Sequence, residues 1–372
     1  MRKKALIFYI SKYSGHFHAA SAIEKGLLEV VGDVDIEKIN ALGYTNPILE
    51  KIINKAYLEV IRKKPEVWGH IYDNPNVIKK TKKAREALHK FNMSKVKKLL
   101  DVRSPDVIFC TQAFPCGMVA DYKRSCGKNT LLVGVLTDYA PHSYWLFDEV
   151  DFYVVPSGET ARVLEQKGVP SGKIKIYGIP VDPKFAQQRD RRRVKKDLGF
   201  REKDPAILIM GGSQGLGAME EVVGSLLGDT GRNYQLLVVT GSNKKLNTRL
   251  KRLGRGKIGE NVRVLSFVEN IDELMEVADI IITKAGGMTV AEALVKKLPM
   301  MIVDPIPGHE RMNTDYLVEK GAAIEIKDYS QIHEKINELF GSRDILDRMK
   351  QTIEKLARPN SALDVAKLAF KE

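Results

Sequence analysis

Three glycine-bearing turns in this sequence of 372 residues are the places best suited to chemistry; each follows an apolar run and precedes a helix-period stretch. The first lies in SKYSGHFHAASAI, where backbone N–H groups at a helix start can meet a substrate. His16 follows Gly15 there, and an imidazole titrating near neutrality can take a proton from an attacking hydroxyl. His18 competes for that role, and a capping or core role for either histidine stays open. The second turn is GGSQGLG at 211–217, where small residues such as Gly212 and Ser213 let a phosphate approach the backbone amides at a helix start. It is neither GxGxxG nor a P-loop, since no GK[ST] follows, and an ordinary strand-to-helix turn explains it equally well. The third is GGMTVAEAL after DIIITKA. Gly286, Gly287, Met288 and Thr289 form a loop suited to a pyrophosphate. Glu292, expected on the first helical turn, either accepts hydrogen bonds from both hydroxyls of a ribose or caps the helix.

Two further stretches carry polar groups at expected strand ends. In DPIPGHERMN, residues 304–313, the side chains of His309, Glu310, Arg311 and Asn313 can hydrogen-bond sugar hydroxyls. In VLTDYAPHSYW, Asp138 is a base, an orienting partner for His16, or a turn former. Polar loops at successive strand ends are what an open α/β binding crevice requires. Asp33-Val34-Asp35 matches the DxD pattern of metal-bound nucleotide sugars, but it falls at the start of strand two, the wrong end for a ligand. It is taken as chance, and no metal site is expected.

Parallel α/β units are needed to position these residues. The first half alternates ALIFYI, VDIEKI, DVIFC, LLVGVLT, DFYVV and IKIYGI with helix-period segments, the first of them a helix from about His18 to Val31. The second half restarts at AILIMG and continues with YQLLVVTG, VRVLSF, DIIITKA, MMIVDP and AAIEI. Two domains are expected, 1–184 and 185–358, joined by a proline-bearing linker near 182–204; a last helix, about 359–372, can pack back on the first domain. A long helical insertion runs through about Leu100. Net charge is +13, and residues 51–100 hold 14 Lys or Arg against 4 Asp or Glu, an excess of 10. Within it Trp68, Tyr72 and Phe91 lie among the charges, and Val77, Ile78, Ala84, Leu88, Val96 and Leu99 can form an apolar face. That pattern suits an anionic membrane surface, or simply a solvated helix packed on its domain. A second basic cluster, Arg189 to Lys196, also suits polyanions. No recognised nucleic-acid-binding motif accompanies this charge, so nucleic acid is not an expected partner. MRKKALIFYI has the basic head of a signal peptide, but its apolar stretch is too short and no small-residue cleavage site follows. Cys110, Cys116 and Cys126 do not have zinc-ligand spacing, and Cys110 reads as core. The expected location is the cytoplasm, on the inner face of the membrane.

Residues 270–323 (NIDELMEVADIIITKAGGMTVAEALVKKLPMMIVDPIPGHERMNTDYLVEKGAA) and 135–185 resemble glycosyltransferase family 28, the monogalactosyldiacylglycerol synthases and processive diacylglycerol glucosyltransferases. A more distant likeness is to the bacterial enzyme that adds N-acetylglucosamine to lipid I. The resemblance covers most of the chain. It implies an α/β GT-B fold, two Rossmann-like domains with parallel sheets facing a central cleft. It implies inverting transfer of a hexose from a UDP-sugar to a membrane lipid hydroxyl, with diacylglycerol as the expected acceptor and no metal or cofactor. By the family pattern His16 lies near the acceptor, and Asp138 matches an aspartate considered for the base role. Ser213 matches a donor-loop position, and Phe267 with Val268 the segment lining the uracil. Gly287, Met288 and Thr289 match the diphosphate loop, Glu292 the ribose-binding glutamate, and His309 with Glu310 a Gln-Glu pair that reads the donor sugar. Lys12, Tyr13 and Ser14 stand where the family's N-terminal loop has more glycines, and GHE replaces GQE. Alternatives are a transferase using a polyprenyl-diphosphate acceptor and a UDP-sugar 2-epimerase, which needs no acceptor.

Overall fold

The computed structural model describes residues 2–12, 14–71, 92–228, 234–254 and 261–370. The chain forms two compact units: Met1–Pro183 with Ile306–Met312 and Arg358–Glu372, and Lys184–Pro305 with Asn313–Ala357. Each apolar run singled out in the sequence is a strand. The first unit holds β1 (Lys3–Tyr9), β2 (Val34–Asn40), β3 (Val107–Cys110), β4 (Leu131–Val135), β5 (Phe152–Val154) and β6 (Ile174–Lys175). The second holds β7 (Ala206–Met210), β8 (Gln235–Val239), β9 (Val262–Leu265), β10 (Ile280–Thr283), β11 (Met300–Val303) and β12 (Ala323–Ile326).

The first unit has one parallel sheet in the order β2-β1-β3-β4-β5-β6. Side chains alternate across it: Leu6, Phe8, Ile108, Cys110 and Leu132 bury on one face, Ala5, Ile7, Tyr9, Phe109 and Val133 on the other. Burial on both faces is why these strands read as unbroken apolar runs. The chain turns from β1 to β2 on one side and resumes at β3 on the other, so the order reverses at the β1/β3 boundary. The helix Ser361–Ala369 packs on this unit, with Val365, Ala366 and Leu368 in the core beside Ile7 and Tyr9. The Val181 N–H donates to Ser361 Oγ at 3.1 Å.

The second unit has its own parallel sheet in the order β12-β11-β10-β7-β8-β9. Its order reverses at the β7/β10 boundary.

The structure revises several local expectations. Helix Gly15–Val31 begins earlier than the pattern suggested, because Ser14 caps it: its Oγ accepts from the Phe17 N–H at 3.4 Å. His16 therefore sits in the first helical turn, not in the loop. The stretch 211–217 is no helix start; Gly212, Gly215 and Gly217 take positive φ, and the helix begins at Met219. Glu292 lies in the second turn of helix Gly287–Val295, beyond capping-box spacing from the N-cap Gly286. Within the Arg189–Lys196 cluster, Arg189, Arg191 and Lys195 are tied into the protein, while Arg192, Arg193 and Lys196 are exposed. Arg189 pairs with the buried Asp272 at 3.0 Å, Arg191 with Asp279 at 2.6 Å, and buried Lys195 donates to the Glu202 and Asp204 carbonyls. Local carboxylates and carbonyls hold these three cations. In the insertion, Val96 and Leu99 bury in the core of the first unit. Val77, Ile78, Ala84, Leu88, Tyr72 and Phe91 lie outside the described residues, as does the side chain of Trp68.

Gly26 faces the C-terminal helix so closely that a Cβ there would meet the Ala362 carbonyl oxygen well inside van der Waals contact. Gly26→Ala is therefore expected to destabilise the protein by about 1–3 kcal/mol despite alanine's better helix propensity. Urea unfolding checks this; unchanged or raised stability contradicts the packing.

Candidate active site

In the first unit the functional candidates gather at the carboxyl ends of β1, β3 and β4. His16 Nδ1 lies 2.7 Å from the Thr111 carbonyl oxygen and 3.2 Å from Thr137 Oγ1. A carbonyl only accepts, so Nδ1 carries the hydrogen and Nε2 is the basic nitrogen of the neutral ring. Thr111 also grips the residue from behind: its hydroxyl lies 3.0 Å from the His16 carbonyl and 3.2 Å from that of Phe8. Asp138 follows Thr137, and its loop is tied down by Thr160 Oγ1 donating to the Tyr139 carbonyl at 2.6 Å. Burial lowers the His16 pKa; the Asp138 charge and the Thr111 carbonyl oppose this, and His309 adds a smaller downward push. His18 is also lowered by burial and packs edge-on against Phe17. Thr111 and Thr137 were not singled out in the sequence; their one visible signal is a hydroxyl just past an apolar strand.

In the second unit the loops after β7 and β10 meet at the order reversal. The 211–217 turn is braced from the loop after β8, the Ser242 N–H donating to the Ser213 carbonyl at 2.9 Å and Asn243 Nδ2 to the Gly215 carbonyl at 3.1 Å. Gly215 combines positive φ with a Cβ position blocked by the Thr240 carbonyl, so only glycine fits. The Lys284 side chain runs over this turn: Cβ atoms built at Gly212 and Gly217 would lie 3.9 Å from its Cε and Cδ respectively. Asp304 approaches Gly217 from the end of β11, its Oδ2 3.7 Å from the same Cβ position. Lys284 is a cation the sequence reading passed over, because a lone lysine after a strand has no distinguishing spacing.

Beside it, Gly287, Met288 and Thr289 form the first helical turn, whose backbone N–H groups have no intrahelical acceptor, and the N-cap Gly286 has no side chain to serve them. Met288 and Thr289 have buried side chains, so this turn presents main chain, with Glu292 half-buried behind it. Phe267, 56% exposed, and the half-buried Val268 follow β9, the edge strand two positions from β7. His309 and Glu310, which belong to the first unit, begin helix His309–Lys320. Glu310, 2% exposed, accepts from the Ile306 N–H at 2.9 Å and so shapes its own loop. Asn313 is fully buried and donates from Nδ2 to the Ala285 carbonyl at 2.9 Å. It braces the loop before Gly287. Asp33, in the DxD match, sits before β2 and pairs with Arg2 at 2.8 Å.

Two Rossmann-like units, each with polar loops at the carboxyl edge of its sheet, define the GT-B class. Solved structures share that fold: MurG from Acinetobacter baumannii has a TM-score of 0.64 at 16% identity, covering 99% of this chain and 100% of that one. A UDP-GlcNAc 2-epimerase from Neisseria meningitidis, bound to UDP-GlcNAc, has a TM-score of 0.63 at 14% identity, covering 99% and 100%. Residues 16–181 match the monogalactosyldiacylglycerol (MGDG) synthase family and residues 206–365 the glycosyltransferase family 28 C-terminal domain. A processive diacylglycerol beta-glucosyltransferase of Bacillus mycoides is 30% identical over 360 residues, 96% of this chain and 91% of that protein. The Bacillus subtilis protein of the same name is 29% identical over 371 residues, 100% and 95%. The chain belongs to glycosyltransferase family 28, on the branch of the diacylglycerol glycosyltransferases.

If His16 acts as a base it must be neutral, and its lowered pKa places the loss of neutral imidazole on the acid side of the ordinary value near 6.5. The expected kcat/KM profile is flat from about pH 7 to 8 and falls only below about 6.5. An acid limb centred above pH 7 contradicts this.

Proposed function

We propose that this chain transfers a hexose from a UDP-sugar to the hydroxyl of diacylglycerol, with inversion and without a metal. The observation that carries this reading is the coexistence of a tautomer-fixed His16 in one unit and a cation-and-amide phosphate cradle in the other, in a chain whose full-length relatives bear the name of this activity.

The proposed division of labour follows from charge. As the glycosidic bond to UDP breaks, negative charge grows on the diphosphate. The N–H groups at Gly287, Met288 and Thr289, the 211–217 turn and the Lys284 ammonium stabilise that charge where another enzyme would use a divalent ion. Glu292 accepts from the ribose hydroxyls, and exposed Phe267 with Val268 offers a face to the uracil. His309 and Glu310 stand nearest the sugar in this scheme. His16 Nε2 takes the acceptor proton, with Asp138 steadying the charge that results.

A lipid acceptor requires the enzyme to work at a surface. Among the described residues no helix is long and apolar enough to cross a membrane. Helix Pro47–Lys63 instead exposes Ile48 (73%) and Ile52 (59%), one turn apart, with exposed Lys51 and Lys55 beside them. An apolar stripe flanked by lysines supports peripheral attachment to an anionic leaflet. This helix carries part of the basic segment 51–100.

The test offers labelled UDP-glucose, UDP-galactose and UDP-N-acetylglucosamine separately to protein on anionic vesicles containing diacylglycerol. Label is expected in the lipid with at least one donor, and Glu292→Ala is expected to cut transfer about a hundredfold or more through lost ribose contacts. Transfer only to a polyprenyl-diphosphate lipid, or epimerised free donor, overturns the reading. An Ile48→Asp/Ile52→Asp variant should keep transfer to detergent-dispersed acceptor and lose it on vesicles.

A further inference from the structure

We propose that Thr111 and Thr137 are positioning residues for the base: together they fix His16 as the Nδ1–H tautomer and take up the positive charge the ring acquires when Nε2 receives the acceptor proton. This rests on the reading of His16 as the base, and it assigns a role to two residues outside the expected site.

The argument is geometric. Thr111 is fully buried and Thr137 nearly so, and they stand at the carboxyl ends of the adjacent strands β3 and β4. The Thr111 carbonyl, 2.7 Å from Nδ1, has no proton to give; at that distance a bare Nδ1 would set lone pair against lone pair. The hydrogen must therefore be on Nδ1. Thr137 Oγ1, at 3.2 Å, is a second acceptor for the same N–H. The Thr111 hydroxyl, reaching the His16 carbonyl, fixes the main chain that carries the ring. Ring and backbone are thus both held from β3, and the ring also from β4.

The chemical step balances as follows. The acceptor oxygen bonds to the anomeric carbon as the bond from that carbon to the diphosphate oxygen breaks. UDP leaves with the electron pair, and the hydroxyl proton moves to Nε2, making an imidazolium. Its charge is shared by Nδ1–H, so both N–H···O contacts strengthen as the proton arrives. Away from water, these oxygens do what a carboxylate does behind the histidine of a hydrolase triad. Contacts that tighten during the reaction act on kcat more than on substrate binding.

Two measurements decide it. In protein with 15N-labelled histidine at about pH 8, His16 should show a protonated Nδ1 and an unprotonated Nε2; the opposite tautomer overturns the proposal whatever the activity. In transfer assays Thr137→Val should lower kcat about tenfold with the acceptor KM unchanged, and Thr137→Ser should restore most of it. Full kcat in Thr137→Val, or equal loss in both variants, overturns the role of the hydroxyl. His16→Ala separates the two levels: if it keeps near-normal turnover, the base reading itself fails.

Discussion

A parallel sheet covered on both faces leaves little room for chemistry except at its carboxyl edge, and within that edge at the point where strand order reverses. Each unit of this protein has one such point. At β1/β3 the loops diverge, and the gap is bridged by the hydrogen bond from His16 to the Thr111 carbonyl. At β7/β10 the gap is flanked by the 211–217 turn, the Lys284 chain lying over it, and the helix start at Gly287. The remaining candidates are arranged around these two places. Thr137 and Asp138 come from β4, next to β3; Asp304 comes from β11, next to β10.

The two places are electrostatic opposites. At one, a carbonyl, a hydroxyl and the charge of Asp138 act on a buried imidazole whose pKa burial lowers. The other presents main-chain N–H groups and an ammonium, suited to a growing negative charge. In the proposed reaction these charges appear together, one on the ring and one on the departing UDP. Burial serves the first place doubly: it keeps the ring neutral beforehand and strengthens its contacts once charged.

The central strands were the most legible in the sequence because burial on both faces writes them as runs such as ALIFYI and DIIIT. Helix starts were less so. Ser14 caps a helix that apolar periodicity alone would begin later, and three positive-φ glycines keep 211–217 out of the helix that follows. Local spacing also cannot tell a side chain that touches ligand from one that braces a neighbour. Asn313 sits in a polar run yet is wholly buried, its Nδ2 on the Ala285 carbonyl. Thr111 and Thr137 stayed hidden because their partner, His16, is some hundred residues distant and reached only through the sheet. The pairing of Arg189 with Asp272 and of Arg191 with Asp279 was not visible in the basic run, because those carboxylates lie far along the chain.

Direct displacement by an activated hydroxyl is the claim on which the proposed roles converge, and the stereochemistry of the product tests it most directly. UDP-hexoses carry the sugar in α linkage, so attack from the opposite face gives a β-linked glycolipid. Proton NMR of the purified product is expected to show the β-anomer. An α-linked product would contradict direct displacement and the base role of His16 with it.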